Sequence, residues 1–266
     1  MAQQSPDRHP DGTPAQNPDA TLTGAAKRRY VMGMFGRIAR HYDVMNTLMT
    51  FGQDERWRRV VVRAAGPVRN CPTLDVGTGT GKLARDLARR GAGAVGVDLT
   101  LPMMAQGRAE LAGDPAGPQV HFVCGDALTL PFPDGTFACV TTGFTMRNVV
   151  DIRSAFAEMC RVTRPGGRVV CLEVATPRNP IFRLGNLVYT RRIVPLLGRL
   201  VAGDADAYTY LPNSMGRFPA PPRLAALMEA AGWRHVRYKT LLFGSVAIHM
   251  GYKVQMIASG LPVDEN

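Results

Sequence analysis

Aromatic residues are scarce in this chain, only 7% of 266 positions, and no uninterrupted apolar run approaches the roughly 20 residues that a membrane-spanning helix needs. The first scarcity, with no recognisable RNA- or DNA-binding module, argues against nucleic acid, which basic residues interleaved with exposed aromatics would favour. The second leaves a soluble or peripheral protein. Cys71, Cys124, Cys139, Cys160 and Cys171 are odd in number and contain no Cys-x-x-Cys pair. Four lie at or within expected strands, as small buried apolar residues do in a reducing cytoplasm. The histidines at 9, 41, 121, 235 and 249 have no metal-ligand spacing, so no metal site is expected. Residues 1–26 hold hardly any large apolar side chain to offset their ordering entropy, which predicts a disordered leader. They also lack the apolar stretch of a signal peptide.

Acidic residues are also few, 21 against 32 basic ones, for a net charge of +11. Such a balance favours nucleic acid or an anionic membrane surface. Its distribution points to the second: Arg178 to Gly203 carries five arginines, no acid, and many Ile, Leu, Val, Phe and Tyr residues. That is the composition of an interfacial segment, and equally of a helix with a solvated basic face and an apolar underside docked on the core.

What the chain does have is a glycine turn: Leu74-Asp75-Val76-Gly77-Thr78-Gly79-Thr80-Gly81 reads as a buried strand entering a turn at the start of a helix. Without Cβ atoms at 77, 79 and 81 the backbone approaches a ligand closely. A phosphate loop is excluded, because Val76 stands where its first Gly belongs and Leu83 where its Ser or Thr belongs. The following strand, 94–98, closes on Asp98, which places that carboxylate beside the turn to accept both hydroxyls of a ribose. Nicotinamide dinucleotides and S-adenosylmethionine both fit at this point, although G-x-G-x-G is not the dinucleotide spacing.

The pattern around the turn alternates. Strands are expected near 73–76, 94–98, 119–124, 136–142 and 167–173, with helices at 81–90, 101–111 and 151–163. Strands alternating with helices predict an α/β fold with a doubly wound parallel sheet. Two helices over 27–66 form an N-terminal cap, a helix over 221–231 precedes two final strands joined through Gly244, and the last strand is expected to be antiparallel. The domain reading is a leader at 1–26, one catalytic domain at 27–258 with a substrate- and membrane-facing insertion at 178–215, and a short tail at 259–266.

Several runs together resemble the UbiE/MenG family of quinone-biosynthesis C-methyltransferases. They include Phe35-Gly36-Arg37-Ile38-Ala39-Arg40-His41-Tyr42-Asp43-Val44-Met45-Asn46, the glycine turn, Leu130-Pro131-Phe132-Pro133-Asp134-Gly135, Met146-Arg147-Asn148-Val149, Leu172-Glu173, Tyr210-Leu211-Pro212-Asn213-Ser214 and His249-Met250-Gly251-Tyr252-Lys253. The chain departs from the family at Thr50, Asp54, Gly143 and Thr176, and Phe51-Gly52-Gln53-Asp54 looks most like menaquinone-pathway members. The resemblance implies a class I S-adenosylmethionine-dependent methyltransferase with a Rossmann-like seven-stranded sheet. The implied reaction is methylation of demethylmenaquinol, with a ubiquinone-pathway benzoquinol or another small aromatic as the alternative acceptor. It implies Thr80, Asp98, Asp126 and Ala127 as cofactor contacts, beside Asp75, Gly77 and Gly79 of the turn. Asp126 would accept the adenine amino group, or merely turn the chain with Gly125.

Carbon methylation of a hydroquinol needs no enzyme nucleophile, since loss of one ring-hydroxyl proton makes the ring carbon nucleophilic. The protein supplies positioning, a lowered hydroquinol pKa and exclusion of water. The family resemblance marks Arg147 as catalytic. A guanidinium is a poor base, so Arg147 and Asn148 are read as donors to the developing phenolate, or to a water that removes the proton. Otherwise they cap a loop. Tyr42 and His249 are the other polar candidates, although a His in an apolar strand also reads as a satisfied core residue. A polyprenyl quinol resides in membrane, so a cytoplasmic, peripherally membrane-associated enzyme is expected, with a homo-oligomer left open. A dinucleotide-dependent oxidoreductase and a nonenzymatic binding module are the competing classes.

Overall fold

The computed structural model describes residues 22–202 and 205–254. Leu74 and Val76 of β1 (Pro72–Val76) are wholly buried between two helical layers, as a near-continuous apolar strand in a parallel sheet must be. The remaining strands are β2 (Gly93–Asp98), β3 (Val120–Cys124), β4 (Phe137–Gly143), β5 (Thr163–Val174), β6 (Arg234–Leu241) and β7 (Val246–Tyr252), in the order β3-β2-β1-β4-β5-β7-β6. Only β7 runs against its neighbours, inserted between β5 and β6, so the expected antiparallel last strand is present. The strand order reverses between β1 and β4, where Leu74 pairs with Val140. In such sheets ligands lodge beyond the carboxyl ends of the strands at that reversal.

Helices α1 (Gly24–Met49) and α2 (Gln53–Ala64) form the N-terminal cap, and α3 (Lys82–Ala88), α4 (Leu101–Leu111) and α5 (Ile152–Val162) cover the sheet. Asp151 caps α5 by accepting the amide N–H of Ser154 at 3.0 Å, which contributes about 1 kcal/mol. Between β5 and the helix preceding β6 lies a helical insertion: α6 (Pro180–Val188), a π-helical turn at Tyr189–Ile193, α7 (Val194–Leu197), a second π turn at Gly198–Ala202, and α8 (Ala205–Arg217). Helix α9 (Pro221–Ala230) then returns the chain to the sheet. Apolar clusters fill both sheet faces, one around Val61, Leu87 and Val170, the other around Phe156, Met159 and Trp233. A third joins Met34, Ile38 and Met45 of α1 to Val194, Tyr208 and Tyr210, so the cap and the insertion share one core above the strand ends.

Three expectations need correction. The leader expected over 1–26 ends sooner, because α1 begins at Gly24; Ala25 and Ala26 are good helix formers, and Lys27 ties this end to the carbonyls of Arg147 and Val149 at 3.3 and 3.2 Å. Residues 1–21 and the tail at 259–266 lie outside the described residues. Cys139 and Cys171 are buried as expected, whereas Cys124 is exposed, because β3 is an edge strand. Finally, β5 is longer than the strand expected near 167–173: it runs from Thr163 to Val174, with an irregularity of register opposite Phe137–Cys139.

Candidate active site

Two cavities open at the carboxyl ends of β1, β2 and β4. The first is a cleft of about 850 Å3, counting the space open to solvent, walled by Gly77, Gly79, Asp98, Met103, Asp126 and Ala127, with Arg28, Val31, Met32 and Phe35 of α1 also lining it. The second, about 1,270 Å3 counting the space open to solvent, runs from Asp75 and Thr80 past Tyr42, Asp43 and Arg147 to Asn186, Tyr189 and Leu242. Tyr42, Gly77, Gly79 and Phe144 line both, so the cavities meet there.

The glycine turn is built as its sequence requires. Gly77 and Gly79 both sit at positive φ, +69° and +56°, and a Cβ on Gly77 would overlap the side chain of Thr145. Asp98 fixes the turn: its carboxylate accepts the N–H groups of Gly79 at 2.9 Å and Thr100 at 2.8 Å. Burial raises the Asp98 pKa, with those two amides acting against the rise. Asp75 lies below the turn, accepting the hydroxyls of Thr78 (2.7 Å) and Thr141 (2.9 Å), and burial pushes its pKa up to about 7. Asp126 accepts the N–H of Leu128 at 3.0 Å and pairs with Arg28 at 2.7 Å, which brings the start of α1 over this end of the cleft. The cradle, the carboxylate at the end of β2 and the carboxylate after β3 together fit an adenosyl cofactor.

Arg147 and Asn148 share a 3-10 turn (Met146–Asn148) yet face different cavities. Arg147 lines the larger one. Its Nη1 donates to the carbonyl of Phe144 and to Glu173 Oε1 at 3.2 Å, while its buried Nε has no hydrogen-bond partner among the described residues. Asn148 lines the smaller cavity, and its amide is engaged: Nδ2 donates to the Phe144 carbonyl and Oδ1 accepts from the Tyr210 hydroxyl at 3.0 Å. Both residues are expected on the acceptor; they line different cavities, yet both side chains donate to the same Phe144 carbonyl, where those cavities meet. Tyr42 stands where the cavities join, its pKa raised by burial, so its hydroxyl stays protonated at neutral pH.

His249 lines neither cavity. It is buried on β7, stacked on Tyr238 at 5.2 Å, with Nε2 3.0 Å from the carbonyl of Pro221 and its pKa lowered by burial. The catalytic reading of His249 gives way to the core reading, because its ring points toward the start of α9 rather than the cavity. Two acids that sequence reasoning passed over do belong to the site: Asp43, on the cavity wall 3.3 Å from Lys82, and Glu173 behind Arg147. Both sit within the family-like motifs, and only the folded arrangement distinguishes them from their neighbours.

A profile of the ubiE/COQ5 methyltransferase family matches residues 23–253. The chain belongs to this family. A demethylmenaquinone methyltransferase of Roseiflexus castenholzii is 52% identical over 229 residues, covering 85% of this chain and 94% of that protein. One of Thermus thermophilus is 47% identical, covering 82% and 99%. Among solved structures, a SAM-dependent methyltransferase from Thermotoga maritima shares the fold with a TM-score of 0.57 at 19% identity, over 84% of this chain and 99% of that one. The family member is thus a class I methyltransferase whose cofactor is S-adenosylmethionine. Competing readings as a dinucleotide oxidoreductase or a nonenzymatic module fall away.

Proposed function

We propose that this methyltransferase methylates a ring carbon of demethylmenaquinol to give menaquinol, in keeping with the names of its relatives. The observation that carries the reading is the junction of the two cavities at Tyr42, Gly77, Gly79 and Phe144: a cleft suited to the cofactor opens onto a larger cavity with an apolar outer end. Bound in the cleft, S-adenosylmethionine supplies a methyl group activated on a sulfonium.

The chain's own residues do the rest. Asp98 and the Gly77–Gly79 backbone hold the cofactor's ribose and methionine portions, and Asp126 meets the adenine. Arg147, held by its pair with Glu173 and with an Nε that has no partner among the described residues, donates to the ring oxygen as negative charge develops there. Tyr42 donates from the junction. Asp43, Asp54 and Asp75 are carboxylates on the cavity wall; burial raises the pKa of Asp43, and pushes that of Asp75 up to about 7, the range of a useful proton acceptor. The helical layer of α1 and α6–α8 keeps water from the reacting carbon.

A polyprenyl acceptor calls for a membrane-docked enzyme. Among the described residues no helix is long and apolar enough to cross a membrane. Docking at an anionic membrane surface is supported by Arg183, Arg191, Arg192 and Arg199, all exposed beside apolar residues of the insertion. Turnover of labelled cofactor with reduced demethyl naphthoquinones and benzoquinones tests the assignment: the naphthoquinols are the faster substrates, and a preference for benzoquinols would overturn it.

A further inference from the structure

The turn joining β6 to β7 carries two successive residues, Leu242 and Phe243, at positive φ of 47° and 53°. Side chains with a Cβ rarely adopt this conformation, which a glycine at either position would adopt without strain. The result is an exposed apolar tip. Phe243 is 71% exposed, and its ring stacks on Phe182 of α6, centroids 4.4 Å apart and nearly parallel. Ile181, 78% exposed, precedes Phe182, and Leu184 follows on the same open helix. An aromatic stack left in water at the edge of a domain has surface to give to a partner.

The patch adjoins the site. Leu242 belongs to the tip and also lines the outer end of the acceptor cavity, as does Asn186 of α6. One wall of that cavity is therefore shared between α6 and the β6–β7 turn, the two elements that also carry the exposed apolar residues. The charged residues of the two elements are all basic: Arg178 and Arg183 lie next to the stack on the α6 side, Arg237 and Lys239 lie on the edge strand leading into the turn, and neither α6 nor β6 contains an acid.

We propose that Phe182 and Phe243, with Ile181 and Leu242, form a two-element wedge that inserts into an anionic phospholipid surface at the mouth of the acceptor cavity. The occupant is a bilayer because apolar rings ringed by exposed cations match lipid below and anionic headgroups above. The inference rests on the polyprenyl-acceptor reading and extends it. Docking depends on the β6–β7 turn, about 60 residues from α6 in sequence, as much as on the basic insertion. The tail passes from lipid into the cavity between these two elements without crossing water.

The test is the full chain carrying F182S and F243N, neither residue lining the acceptor or cofactor cavity. Asn tolerates positive φ, so the turn is retained. Cosedimentation with vesicles of phosphatidylcholine and phosphatidylglycerol, without quinol, is read at low and physiological salt. The parent binds, and the double variant binds at least about tenfold more weakly. Turnover of a short-tail, water-soluble demethyl naphthoquinol is unchanged, while turnover of a long-tail quinol in the same vesicles falls. Parent-like vesicle binding by the variant, or no binding by the parent, overturns the wedge. So does sedimentation showing a parent dimer that the variant dissociates while vesicle binding persists, since the patch is then a subunit contact. Failure of the parent to methylate any naphthoquinol overturns the proposed reaction instead, while vesicle binding still decides the wedge.

Discussion

Arg147 and Glu173 form an ion pair in which both side chains are nearly out of solvent, 8% and 1% exposed, with Nη1 and Oε1 3.2 Å apart. Burial raises the Glu173 pKa, and the guanidinium opposes the rise. Removing one member of such a pair leaves an uncompensated buried charge, whereas replacing both with apolar groups is often neutral. Glu173→Gln is therefore expected to destabilise the protein by about 3 kcal/mol or more. The double replacement R147M/E173M recovers most of that loss. Activity does not follow stability: the double variant turns over at least about a hundredfold more slowly, with cofactor affinity within a few-fold of the parent, as for loss of a donor to developing charge. Denaturant unfolding, calorimetric titration of the cofactor and steady-state rates check the three parts. A double variant with parent-like turnover removes Arg147 from the chemistry.

Asp98 supports the turn and faces the cleft at once. Asp98→Ala deprives two backbone N–H groups of their acceptor and the cofactor of a charge-assisted hydrogen bond, so S-adenosylmethionine affinity falls about tenfold or more. Titration of a folded variant that binds as tightly as the parent contradicts the assignment.

Asp126 reaches Arg28 across an exposed pair, 2.7 Å long with Arg28 half exposed. If the same carboxylate meets the adenine amino group, Arg28 competes for it. Arg28→Gln is expected to tighten cofactor binding by up to about fivefold, the scale of an exposed salt bridge, and Asp126→Ala to weaken it. Parallel losses in both variants place Arg28 among the cofactor's partners rather than its competitors.

Asp75 makes cofactor binding pH-dependent. Its folded pKa of about 7 lies above the ordinary 3.8, so the protonated side chain contributes stability that is complete below about pH 4 and lost as pH rises through about 7. A cationic ligand near the carboxylate favours its charged form. S-adenosylmethionine binding is expected to release protons near neutral pH and to strengthen as pH rises through this window. Titration in buffers of different ionisation enthalpy measures the release, and Asp75→Asn abolishes it; equal release from both proteins refutes the linkage.

Much of this arrangement is legible in the chain. Short apolar runs alternating with helical stretches, with Gly and Pro punctuating them, place β1 through β4 within about two residues, and the Gly77–Gly81 spacing locates the cradle because Gly takes its backbone without strain. Three things are not legible, for physical reasons. Arg147 and Asn148 are adjacent and both donate to the Phe144 carbonyl, and their further partners, Glu173 of β5 and Tyr210 of α8, come from elements distant in sequence. His249 lies on a strand buried on both faces, and which side of β7 faces the cavity is decided by its insertion between β5 and β6, elements far apart in sequence. The pairing of Glu173 with Arg147, and of Phe243 with Phe182, depends on contacts between elements that no local pattern encodes.

Transfer of a methyl group to a ring carbon of a reduced naphthoquinone is tested most directly by the structure of the product. Purified protein incubated with S-adenosylmethionine carrying a 13C methyl and a reduced short-tail demethyl naphthoquinone is followed by carbon NMR of the extracted product. The expected result is a single labelled methyl on the vacant ring carbon, formed from the quinol and not from the oxidised quinone. Label on a ring oxygen, or equal turnover of the oxidised acceptor, would contradict it.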